Sequence, residues 1–148
     1  MTGHVDISEF ARRLGSSSDQ IIQQMQTLAK DGFLKKVGGG FAVTEKGKGI
    51  LKATKIVPSN MRFDFYLAIG QPVGISAGSV KEFHDVASTV NTISLEFHLY
   101  RGDFENWFQT VIGDTGFADE LAKLKKTNLK DEELRKAIVK AVELRYRF

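Results

Sequence analysis

The sequence predicts an α+β fold: helices and a strand hairpin to about Pro58, then a small α+β domain over 59–148 with a strand hairpin and four or five helices. Three observations lead there. Capping signals followed by apolar residues at helical spacing recur along the chain, from Asp6 to Asn128. Two pairs of short β-forming runs are each interrupted by glycine, around 38–40 and at Gly70. Hydrophobic residues make up 42% of 148 residues, enough to fill a core, so a disordered chain is not expected.

The first element is announced by Asp6-Ile7-Ser8-Glu9, a capping-box pattern, after which Ile7, Phe10, Ala11 and Leu14 share one face and Gly15 stops the helix. A second cap, Ser17-Ser18-Asp19-Gln20, opens a helix whose apolar stripe is Ile21, Ile22, Met25, Leu28 and Ala29 and which ends at Asp31-Gly32. Two capped helices joined by so short a turn have the outline of a helix-turn-helix. Phe33–Val37, three glycines and Phe41–Val43 then read as a hairpin carrying Lys35 and Lys36, and Thr44 is positioned to cap a third helix.

The segments "ISEFARRLGSSSDQIIQQMQTLAKDGFLKK" and "FAVTEKGKGIL" together resemble the winged helix-turn-helix domains of archaeal and bacterial transcription regulators, over residues 5–55. The resemblance implies that the second helix enters the DNA major groove. Its groove side would then carry Ser17, Ser18, Gln20, Gln23, Gln24 and Thr27, while Arg12, Arg13, Lys30, Lys35 and Lys36 would meet phosphates. Glutamine can pair bidentately with adenine, which suits such a face. Against this, the same amides suit any solvated helix, Asp19 would repel phosphate, and the helix has no arginine. Winged helices also serve as protein-interaction modules, so an adaptor that never touches DNA is the rival expectation. Only about five residues precede the capping box, too few for the helix that usually packs behind the recognition pair; the later chain or a second subunit is expected to supply that packing.

Beyond the linker at Ile56–Asn60, Met61, Phe63, Phe65, Leu67 and Ile69 alternate with more polar residues as a strand does, Gly70-Gln71-Pro72 turns, and Val73–Ser76 can pair back. Ser79-Val80-Lys81-Glu82 is a third capping box, followed by a stripe of Phe83, Val86, Ala87 and Val90. Phe97, Tyr100, Phe104, Trp107, Phe108 and Val111 recur at helical spacing and are expected to form the core, with a break at Gly102-Asp103 and a stop at Gly113. Phe117, Leu121 and Leu124 mark a short helix. Asn128 is expected to cap the last one, which buries Leu134, Ile138, Ala141 and Val142. The segment "LEFHLYRGDFENWFQTVIGD…LAKL" resembles an uncharacterised, mainly archaeal domain family over residues 61–126, a resemblance that implies no activity.

Composition narrows the chemistry. The absence of cysteine excludes disulfides, thiolate metal sites and a cysteine nucleophile. The N-terminus has no signal-peptide pattern and no run approaches the roughly 18 apolar residues of a membrane helix, so a cytoplasmic protein without membrane contact is expected. Nine Lys/Arg stand against five Asp/Glu up to Pro58, and twelve against thirteen beyond it, so the positive surplus lies where a polyanion would be met. His98, near Glu96, Asp103 and Glu105, has no second histidine at helical spacing and reads as a histidine at the edge of an aromatic cluster rather than a metal ligand. Gly38–Gly40 lacks the Lys-Ser/Thr of a phosphate loop. The glycine-rich Gly70–Gly78 run reads either as close backbone packing or as one wall of a pocket. No enzyme, cofactor or metal site is expected. Double-stranded DNA is the expected partner of a homodimeric regulator, with an effector or protein partner of unknown identity; in a dimer the two recognition helices would lie about 34 Å apart.

Overall fold

The computed structural model describes residues 18–148, the side chain of Ser18 excepted; the expected helix at Ile7–Leu14, and with it Arg12, Arg13 and Ser17, lies outside the described residues. In chain order the elements are α1 (Ser18–Lys30), β1 (Leu34–Val37), β2 (Gly40–Val43), α2 (Glu45–Thr54), β3 (Phe63–Ala68), β4 (Gln71–Ala77), α3 (Val80–Ala87), α4 (Thr92–Arg101), α5 (Asp103–Trp107), α6 (Thr115–Leu124) and α7 (Asp131–Tyr146). Single 3-10 turns precede β3 and follow α6, and a π turn, Phe108–Ile112, follows α5. Helices combined with two separate antiparallel hairpins make this an α+β protein. It divides into two compact units, Met1–Leu51 and Lys52–Phe148.

In the first unit α1 buries Ile21 and Met25 against Phe41, with Ala29 and Leu34 packed beside them. Leu28, expected in the same stripe, is 42% exposed. The helix ends where Asp31-Gly32 predicts, and the hydrogen bonds say why. Phe33 N–H donates to the Leu28 carbonyl (2.9 Å) and Gly32 N–H to that of Ala29 (3.1 Å), with Gly32 at φ +88°. This is a Schellman closure, which needs the left-handed residue that glycine supplies without strain. The hairpin turns on two residues, since Val37 pairs with Gly40. Gly38, at φ +56°, takes the first turn position, as a type II′ connection requires.

In the second unit the β3–β4 hairpin is covered by helices, as two strands alone are marginal in water. Phe65, Phe83, Phe104, Phe108 and Phe117 are fully buried. Their rings meet edge to face, Phe83 with Phe104 at 5.0 Å and Phe108 with Phe117 at 4.6 Å between centroids. The strand turn falls at Ile69-Gly70 rather than Gly70–Pro72, because Pro72 lies in β4 opposite Tyr66, where the pairing shifts register on either side. Pro72 has no N–H to give a ladder, so an irregular hairpin is its natural place.

Ser79 caps α3 as expected, accepting from Glu82 N–H at 3.1 Å. Glu82, however, reaches one residue further back and accepts from Gly78 N–H (2.8 Å) while pairing with Arg62 (3.1 Å). The break at Gly102 and the stop at Gly113 both occur, each glycine having positive φ. Two expectations need correction. The buried face of α4 is Ser94, Leu95, His98 and Leu99, while Tyr100 is 36% exposed and Phe97 only half-buried. Asn128 does not cap α7: it sits in the left-handed region closing the preceding 3-10 turn, and Lys130, which precedes α7, makes no side-chain cap. α7 itself buries Leu134, Ile138 and Val142 as expected, and Tyr146 besides.

Asp114 fastens α6 to α7. Its carboxylate accepts from the Phe117 N–H (3.0 Å), from Arg145 (2.6 and 3.0 Å) and from the Tyr146 hydroxyl (2.7 Å). Burial alone would raise its pKa, but these donors outweigh it and hold the group down at about 2. A depressed carboxylate stabilises the fold above its unfolded pKa and ceases to do so as pH falls through the folded value. Asp114→Asn should therefore lower stability near neutral pH by about 1–2 kcal/mol, discounted for the exposure of Arg145, and the deficit should disappear by about pH 2. Urea denaturation of both proteins across that range reads the effect.

Candidate functional site

The face of α1 opposite Ile21 and Met25 is turned to solvent. Gln20, Gln23, Gln24, Thr27 and Lys30 are all exposed and fall on that side of the helical wheel. The only acidic residue in its first turn is Asp19, and the only basic residue in its last is Lys30. The Thr27 hydroxyl is engaged locally, donating to the Gln23 carbonyl at 3.1 Å. A row of amides between an acidic start and a basic end can read hydrogen-bonding groups without demanding a charged partner.

The two lysines of the hairpin are both exposed but do not act as a pair. Lys36 pairs with Phe41 and Lys35 with Ala42, and alternation along β1 sends neighbouring side chains to opposite faces. Phe41 and Leu34 mark the face turned to the described core, which Lys36 shares, while Lys35 shares the opposite face with Ala42, itself buried. The period of two along a strand separates them, a signal the sequence itself carries.

What fixes the hairpin against the end of α1 is a clasp built from Asp31–Phe33 and Thr44–Gly47. The Thr44 hydroxyl donates to the Gly32 carbonyl (2.6 Å) and accepts from Gly47 N–H (3.1 Å), so it is the N-cap of α2 and a tie to the turn at once. Thr44 N–H donates to the Phe33 carbonyl (3.1 Å). Lys46 donates to the Asp31 carbonyl (2.8 Å) and lies 4.5 Å over the Phe33 ring. Lys46 thereby spends its charge on the fold, whereas Lys30, Lys35 and Lys36 remain exposed.

In the second unit His98 is 3% exposed and its ring is edged by Phe63 and Phe97, at 4.8 and 5.0 Å between centroids. Both ring nitrogens are committed. Nε2 accepts the Tyr66 backbone N–H at 2.8 Å, and Nδ1 faces Asp103 Oδ2, also at 2.8 Å. An amide N–H can only donate, so Nε2 carries the lone pair and the proton of the neutral ring lies on Nδ1, donated to Asp103. Burial holds the His98 pKa below its ordinary value, against the raising influence of Asp103. The histidine is thus a core residue, with an aspartate partner that helical spacing does not reveal: Asp103 stands beyond the bend at Gly102. Among the described residues no cluster of three or more histidine, aspartate or glutamate side chains could hold a metal ion, and no helix is long and apolar enough to cross a membrane. No protein-family model, curated protein or solved structure matches the chain.

Proposed function

We propose that the first unit is a winged helix-turn-helix that binds double-stranded DNA, with α1 in the major groove and the β1–β2 hairpin along the phosphate backbone, in a homodimeric transcriptional regulator. The observation that carries the reading is the solvent face of α1, where Gln20, Gln23, Gln24, Thr27 and Lys30 lie together opposite the buried Ile21 and Met25. Glutamine amides supply the paired donor and acceptor that adenine presents in the groove. Exposed Lys35 and Lys36 supply charge for the backbone, where contacts position the protein without reading sequence.

The test is fluorescence anisotropy of the full chain on random duplex DNA at two salt concentrations. Binding should weaken steeply with salt, because each neutralised phosphate releases counterions. Replacing Lys35 and Lys36 together by alanine should weaken binding to every sequence and reduce the log–log salt slope by about 2. The single variants separate the two faces of the hairpin, and the lysine facing the backbone should account for the larger share. Failure to bind at low salt would leave the rival assignment, a protein-interaction module.

A further inference from the structure

A cavity of about 510 Å³ opens beside His98, within the second unit. Its size is that of a pocket for a small organic molecule, and it is not a packing defect, which would be far smaller. Aromatic rings dominate the walls: Phe63 and Trp107 from the core, Tyr66 and Phe97 at the sides. Phe97 of α4, only half-buried, lines the opening. Ile69, 83% exposed, is an apolar residue at the strand turn that also lines the cavity.

The charged groups of the lining fix the class of occupant. Asp103 already accepts from His98 and lies 3.5 Å from Arg101 Nε. Arg101, the single cation of the lining, is half exposed, neighbours that carboxylate and lies over the Phe97 ring, 4.7 Å from the ring centroid. His98 contributes no charge, both its nitrogens being occupied inside the protein. Asp64 is different: it is exposed, lines the cavity, and its carboxylate has no hydrogen bond or ion pair among the described residues. One unspent carboxylate among ring faces attracts a positive charge twice over, by direct pairing and through the negative faces of the rings. The lining also carries two carboxylates, Asp64 and Asp103, against the one guanidinium of Arg101, a balance that disfavours an anion. We propose that this cavity is a binding site for a small organic cation with a flat or aromatic body, its ammonium group held by Asp64 and its body packed between Phe97 and Trp107. The site stands independently of the DNA-binding reading.

Trp107 is the only tryptophan in the chain, so its emission reports on the cavity wall. Phenethylammonium and 3-phenylpropionate share a phenylethyl body and differ in the sign of the terminal charge. Titrated into the full chain, phenethylammonium should change Trp107 emission saturably, with an affinity at least about tenfold above that of 3-phenylpropionate. Asp64→Asn should remove most of that preference while leaving the unfolding temperature unchanged, since the Asp64 carboxylate makes no hydrogen bond or ion pair among the described residues. A preference for the carboxylate, an equal response to both, or no saturable response to the amine would overturn the proposal. So would a cation preference that survives in Asp64→Asn. The comparison of the two ligands on the unaltered protein needs no variant, so it holds whatever the substitution does to folding.

Discussion

Gly47→Ala is expected to unfold the hairpin unit rather than stabilise its helix. In a solvated helix this substitution gains about 1 kcal/mol, because alanine loses less backbone freedom than glycine. Here the new Cβ would overlap the Phe33 carbonyl oxygen and come within 2.8 Å of Val43 Cγ1. The first of these is backbone, and it cannot retreat, because the same carbonyl accepts from Thr44 N–H and the turn is held by the Thr44 hydroxyl. Relief would require α2 to move off the turn, breaking the Thr44 cap and the Lys46 bond to Asp31 together. We expect a net loss of about 3 kcal/mol, the scale at which overpacking and a lost cap combine. Amide hydrogen exchange reads it by position: protection should fall throughout α1, β1 and β2. An alanine variant as protected as the parent would mean that the clasp yields more easily than its geometry implies. The proposed DNA binding would suffer from the same event, so the Gly47 variant must be judged by protection and not by affinity.

How much of this was legible beforehand depends on whether the deciding contact is local. The end of α1 at Asp31-Gly32, the cap at Ser79 and the breaks at Gly102 and Gly113 each rest on a few adjacent residues, and each was readable. The face of α4 was not. Helical spacing assigns Phe97 and Tyr100 to the core, yet Tyr100 turns outward to donate to the Leu129 carbonyl (2.6 Å). Phe97 meanwhile lines the cavity, and the smaller Ser94 and Leu95 take the interior with His98 and Leu99. Spacing alone cannot distinguish a ring that fills a core from one that walls an opening. Asn128 has the side chain of an N-cap but also the tolerance for positive φ that closes a turn, and the structure uses the second property. The pairing of His98 with Asp103 depends on the bend at Gly102, and its bond to Tyr66 on how α4 lies against β3. The sequence places Asp103 near His98 beside Glu96 and Glu105 without singling it out, and it carries no signal for the bond to Tyr66.

His98→Leu is the second substitution with a large expected effect, and its pH dependence separates two causes. Leucine fills the space between Phe63, Phe97 and Phe104 but accepts no hydrogen bond, so the Tyr66 N–H loses its partner. Asp103 also loses a donor but keeps Arg101 and is partly open to water, which makes that loss the lesser one. Together these should cost about 2–4 kcal/mol near pH 8. The parent protein behaves differently in acid. Because burial depresses the folded pKa of His98, the unfolded chain binds the proton first as pH falls below about 6.5. Stability then falls steadily until the folded pKa is reached, and a leucine variant lacks this slope. The gap between the two proteins should therefore narrow from pH 8 to about pH 5, as read by urea midpoints. His98→Gln makes the distinction sharper, since its side-chain carbonyl can accept from Tyr66 N–H but does not titrate. It should recover part of the stability at pH 8 and none of the acid slope. If all three proteins lose stability in parallel, the slope belongs to other titrating groups, and the bond from Tyr66 carries the whole contribution of His98.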